Sequence, residues 1–205
     1  RPLVAAASSL SGVLDEIADA FTGDTGLHIE IVFGASGTLT RQIQSGAPFE
    51  LFLSADEEFV TRLHASGHAR DEGAVYALGR LVLFAPYGSP VDPGSGIEAL
   101  GSLLDTGRIR GFVIANPDLA PYGRAAEAAL RDAGLWDRMR PRLVLGENVS
   151  QAAQFAASGD TSGGLIPLSI ASTPAVSSRG TFAAVPEALY PPLRQRMALL
   201  SNAGP

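Results

Sequence analysis

The sequence predicts an α/β protein of two units, each a mostly parallel sheet flanked by helices. Three observations carry this. Apolar runs of strand length alternate with segments of helical spacing. The alternation breaks and restarts near Gly79. The joints from strand to helix are turns of small residues, as at the carboxyl edge of parallel sheets.

The elements follow in order. Leu3 to Ala7 reads as a buried strand, and Val13, Leu14, Ile17 and Phe21 then recur at helical spacing until Gly23 and Gly26 break the helix. His28 to Phe33 alternates as a second strand. Leu39 and Ile43 follow one helical turn apart, and Gly46 stops that helix. Glu50 to Leu53 is a short strand. Ser54-Ala55-Asp56-Glu57 matches a capping box, with Ser54 as N-cap and Glu57 reaching back.

The second set begins with the strand Arg80 to Ala85. Tyr87 to Gly96, rich in Gly, Pro and Ser, is a loop. Gly111 to Ala115 is a buried strand leading through Asn116-Pro117-Asp118 into a helix from about Gly123 to Ala133. Arg142 to Leu145 is a strand, Val149 to Ala157 a helix and Gly164 to Pro167 a strand. Thr173 to Arg179 reads as loop, and Arg196 to Leu200 as a last strand.

The first unit is therefore expected over residues 1–78 and the second over 79–175. The tail, 176–205, is too short to fold alone and is expected to return to the first unit. Two crossings between the units would leave a cleft, a common place for a ligand.

Composition narrows the function. Of 205 residues, 46% are apolar and 18% charged, which fits a globular chain and argues against disorder. No apolar run approaches the ~20 residues that cross a bilayer as a helix. With no cysteine, disulfides and thiolate zinc sites are excluded. The formal charge of −6 disfavours nucleic acid, which wants a basic face, so any anion must be held locally. The start, RPLVAAASSL, enters a strand directly, so a signal peptide is expected to be already removed or never present.

Three turns look alike: Ala7-Ser8-Ser9, Gly34-Ala35-Ser36 and Gly146-Glu147-Asn148-Val149-Ser150. Each would offer unpaired backbone N–H groups at a helix start, beside a hydroxyl or amide. Several such ends converging on one ligand make an anion site without a cationic side chain. Alternatively, Ser9, Ser36 and Asn148 are ordinary N-caps. Recurrence on both units favours binding. A donor-only site prefers a fully ionised dianion, because an unmatched buried polar group costs ~1–3 kcal/mol. Sulfate, molybdate and tungstate qualify, provided Glu147 points away from the ligand.

These residues carry a resemblance. AAASSL, FGASGTLTRQIQSGAPFELFLSAD, NPDLAPYGRAAEAAL, GENVSQA and YPPLRQ resemble the molybdate-binding proteins of bacterial ABC transporters. The resemblance covers most of the chain and is most specific from Phe33 to Asp56. It implies a two-lobed periplasmic-binding-protein fold with two crossover segments. It also implies an extracytoplasmic or periplasmic receptor, most simply a monomer, that takes up one molybdate or tungstate and passes it to a membrane permease, with no cofactor and no catalytic residues. It places ligand donors at Ser9, with Ser8 beside it and able to donate as well, at Ser36, at Tyr122 and at the backbone of Val149. Two departures stand out: Ala171 replaces a second tyrosine found in some members, and a C-terminal helix common beyond YPPLRQ does not follow before Pro205.

Other residues read as structural. His64 and His68 are spaced for chelation, but no cysteine or carboxylate motif accompanies them, so no metal site is expected. Asp56, Glu57 and Glu58 belong at a helix start, and Trp136 reads as a core anchor. Competing functions are a small-anion sensing domain, which would need a DNA-binding segment, a sulfate-type oxyanion receptor, and an enzyme, for which the turns lack a base.

Overall fold

The computed structural model describes residues 1–204. The chain divides into two units, residues 1–78 with those from 193 onward, and residues 79–192.

The first unit holds β1 (Leu3–Ala7), α1 (Val13–Thr25), β2 (Glu30–Gly34), α2 (Ser36–Gln44), β3 (Leu51–Ser54), α3 (Glu58–Ala65) and β4 (Ala74–Gly79). Its five-stranded sheet has the order β2-β1-β3-β10-β4, where β10 is Leu193–Leu199. β1 lies parallel to β2 and β3, and β10 runs antiparallel to β3.

Register fixes the two faces. Ala5 faces Phe52 across one pair and Phe52 faces Ala198 across the next, so these three share a face. They form one core with Leu39 and Ile43 of α2 and Phe59, Val60 and Leu63 of α3. Val4, Ala6 and Leu53 lie on the opposite face and pack with Leu14 of α1. α1 ends where Gly26 adopts the left-handed conformation, φ 72°, and its N–H donates to Thr22 O at 2.8 Å. Gly23 stays inside the helix.

The capping box expected at Ser54–Glu57 does not form. α3 starts at Glu58, and Asp56 Oδ1 accepts the Phe59 N–H at 3.2 Å. Glu57 instead reaches Arg194 and Arg196 of β10, each at 3.1 Å, tying the start of α3 to a strand that is distant in sequence.

The second unit holds β5 (Leu81–Pro86), α4 (Leu100–Asp105), β6 (Phe112–Ala115), α5 (Pro121–Asp132), α6 (Trp136–Met139), β7 (Leu143–Gly146), α7 (Val149–Ala157), β8 (Gly163–Pro167), α8 (Leu168–Ala171), α9 (Pro174–Ser177) and β9 (Gly180–Ala184). Its sheet has the order β7-β6-β8-β5-β9. β6 is parallel to β7 and β8, whereas β5 is antiparallel to β8 and to β9. Three strands thus form a parallel half, and the expected mostly parallel sheet is mixed. β5, β6 and β8 are buried along their whole length, and α7 packs on β6 and β8.

The tail differs from expectation. Residues 176–192 stay with the second unit, because β9 pairs with β5 from Val82–Ala184 to Pro86–Gly180. Tyr190 seals this arrangement by accepting the Leu81 N–H on its hydroxyl at 3.2 Å. The return to the first unit begins at Leu193. No helix among the described residues is long and apolar enough to cross a membrane.

Candidate functional site

In the first unit, pairing of Ala7 with Gly34 brings the ends of β1 and β2 to one edge of the sheet. The end of β3 joins them, since Ala6 pairs with Leu53. Ser8, Ser9 and Ser36 therefore emerge side by side, and all three are buried.

Neither serine turn is a plain helix cap. Ser8 and Ser9 lie in a single 3-10 turn, Ser8–Leu10, closed by Ser11 N–H on Ser8 O at 3.2 Å. α1 begins only after Gly12, so Ser9 does not cap it. Ser36 is the first residue of α2, with Ala35 in the extended cap position. The Ser36 Oγ accepts the backbone N–H of Ala55 at 3.0 Å. A hydroxyl that accepts one hydrogen bond keeps its own proton to donate. Thr40 Oγ1 donates to Ser36 O at 2.8 Å and holds this first turn from within. Ala55 takes part through its backbone alone, so no side-chain signal in the sequence could have marked it.

In the second unit, Ala115 pairs with Gly146, so β6 and β7 end at one edge. Tyr122 is the second residue of α5 and Val149 the first of α7, and both are buried. Two glycines allow this placement. A Cβ on Gly123 would lie 2.3 Å from Ala115 O, and one on Gly146 would lie 2.5 Å from Ala152 N. Each helix start can therefore sit tight against the strand that precedes it.

Asn148 is a true N-cap. Its Oδ1 accepts the Gln151 N–H at 3.0 Å, and Gln151 Oε1 accepts the Glu147 N–H at 2.7 Å. The Val149 N–H, one residue into α7, has no acceptor within its own helix and points out of its start. The Glu147 side chain is exposed. Ala171, which stands in place of the second tyrosine of the resemblance, is a fully buried methyl in α8.

Comparison with known proteins bears on these turns. Residues 2–205 match the family model of bacterial extracellular solute-binding proteins. The chain is 35% identical over 200 residues to the molybdate-binding protein ModA of Azotobacter vinelandii, covering 97% of this chain and 77% of that protein. Against ModA of Rhodobacter capsulatus the identity is 34% over 201 residues, covering 98% and 76%. The chain belongs to the ModA family of bacterial extracellular solute-binding proteins.

The solved structure of the Azotobacter vinelandii periplasmic molybdate-binding protein matches with a TM-score of 0.87 at 30% identity, covering 100% of this chain and 87% of that one. Membership of the ModA family makes the chain a transport receptor rather than an enzyme.

The chemistry of the turns agrees with that role. They offer hydroxyls and helix-start N–H groups, and none of Ser8, Ser9, Ser36, Tyr122 and Val149 is an acid, a base titrating near neutrality or a cation. Among the described residues no group of three or more His, Cys, Asp or Glu is arranged to hold a metal ion.

Proposed function

We propose that this protein is an extracytoplasmic receptor that binds molybdate or tungstate and delivers it to the permease of an ABC transporter. The single observation that carries the reading is the Ser36 hydroxyl, buried and held by the Ala55 N–H so that its proton is left to donate. A site of such donors suits a fully ionised tetrahedral oxyanion. It penalises hydrogen phosphate, whose proton would lack an acceptor. Likeness to two molybdate-binding proteins supports the choice of molybdate over sulfate.

In this reading Ser8, Ser9, Ser36, Tyr122 and the Val149 N–H are the ligand donors. The oxyanion enters as cargo and needs no cofactor. The receptor works as a monomer, and sedimentation with and without ligand tests that.

Calorimetry with sodium molybdate, tungstate, sulfate and phosphate is the deciding experiment. Tight binding of the first two is expected, with sulfate weaker and phosphate weakest. Equal binding of phosphate would overturn the donor-only site, and a preference for sulfate would make the protein a sulfate receptor.

A further inference from the structure

The contact between Ser36 and Ala55 is one link of a longer chain. The Ala55 N–H and the Ser54 carbonyl belong to one peptide group, and the Tyr76 hydroxyl donates to that carbonyl at 3.0 Å. Tyr76 lies on β4, and β10 stands between β4 and β3 in the sheet. The tyrosine therefore reaches past a whole strand to the end of β3. Its ring packs against the cluster of Val4, Ala6, Leu14 and Leu53.

The side-chain bonds of the turn itself are local. Ser54 Oγ accepts the Asp56 N–H at 3.3 Å, and Asp56 Oδ1 accepts the Phe59 N–H at 3.2 Å. They fold the turn but leave the Ser54 carbonyl and the Ala55 N–H to other partners. The peptide is trans, so its C=O and N–H point opposite ways and the two bonds run through it end to end.

Every donor in this chain faces the same way. Tyr76 donates to the peptide group, the peptide group donates to Ser36, and Ser36 keeps a proton to donate outward. Ser36, Ser54 and Ala55 are buried and Tyr76 is half-buried. In such surroundings hydrogen bonds in series polarise one another, by roughly 10–30% per bond. A carbonyl that accepts makes its own N–H a better donor. A hydroxyl that accepts a stronger bond becomes a better donor in turn.

We propose that Tyr76 is a positioning residue of the oxyanion site. It fixes and polarises the Ser54–Ala55 peptide, and through Ser36 it strengthens the bond made to the ligand. This rests on the oxyanion-receptor reading above. Tyr76 acts through Ser36, not by contact with the oxyanion.

Tyr76→Phe removes the hydroxyl and keeps the ring. On the free protein, heteronuclear NMR should show the Ala55 amide proton moving upfield, because its bond to Ser36 weakens. The Gln151 amide proton, bonded to Asn148 in the second unit, should stay in place. By calorimetry with sodium molybdate, Tyr76→Phe should bind about three- to tenfold more weakly than the parent. In a Ser36→Ala background the same substitution should cost nothing further, since the chain is already cut. Unchanged spectra elsewhere show that the variants fold.

An unmoved Ala55 proton or an unchanged molybdate affinity overturns the proposal. So does an equal loss in both backgrounds, which would make Tyr76 a packing residue of the sheet. Where the parent binds molybdate, these results leave the receptor reading standing. A parent that binds neither molybdate nor tungstate overturns that reading, and the proposal with it.

Discussion

Ser36 Oγ and the backbone nitrogen of Ala55 stand 3.0 Å apart, and the hydroxyl is the acceptor. Nineteen residues separate them in the chain, and the adjacency of β1, β2 and β3 closes that distance. One contact therefore serves two ends: it pairs a buried N–H and it turns a serine into a donor.

Ser36→Ala should weaken molybdate binding by about 1.5–3 kcal/mol, the range for a hydrogen bond to a charged group. It also strands the Ala55 N–H in a buried place, at a cost of ~1–3 kcal/mol in stability. Calorimetry well below the melting temperature separates the two effects. Unchanged affinity with lowered stability would leave Ser36 a purely structural residue.

Gly123→Ala should do harm out of proportion to one methyl group. The added carbon would meet the Ala115 carbonyl at 2.3 Å, and backbone cannot yield as a flexible side chain can. α5 must shift, and Tyr122 shifts with it. A loss of ~1–3 kcal/mol in urea denaturation is expected, together with weaker oxyanion binding. Native stability in this variant would mean that α5 relaxes without cost.

Glu57→Gln removes the anion shared by Arg194 and Arg196. The Arg196 side chain is the more enclosed of the two, at 19% accessible, and it also donates to Glu72 O at 2.8 Å. Because Glu57 is itself partly exposed, a modest loss of about 1 kcal/mol is expected, shrinking at high salt. Denaturation at two ionic strengths measures this, and oxyanion affinity should not change.

Sulfate, whose charge is constant over the range, gives the cleanest pH profile. Its affinity should stay nearly flat from about pH 6 to 9, since serine hydroxyls and backbone N–H groups do not titrate there. A steep fall above neutrality would place a histidine or another titrating cation in the site. Saturating molybdate should also raise the melting temperature by mass action, by an amount that grows with the logarithm of its concentration.

Much of the architecture was legible because parallel strands announce themselves. LVAAA, FVIA and GGLIP are short, apolar and followed by turns, and each became a strand. β4 and β9 were missed. AVYALG and GTFAA are half-exposed, and their pairing is non-local, so nothing in their own residues declares it. The second crossing moved for the same reason, since β9 is held by β5 nearly a hundred residues earlier. Asn148 could be read as a cap because an amide three residues before Gln151 is a local signal. The hydrogen bond that Ser36 accepts from Ala55 could not, because that partner is a backbone nitrogen on another turn. The spacing of Val13, Ile17 and Phe21 marked a helix, but spacing alone does not say which apolar residues end up enclosed.

The position of β10 has a consequence for biogenesis. The strand lies between β3 and β4, yet it is made after the whole of residues 79–192. A ribosome or an export channel releases the contiguous second unit before the first can complete its sheet. Until Leu193–Leu199 emerges, β3 and β4 each lack a neighbour. The first unit is thus the later of the two to gain all its strands, and its open strand edges wait longer for a holdase or for their own closing strand.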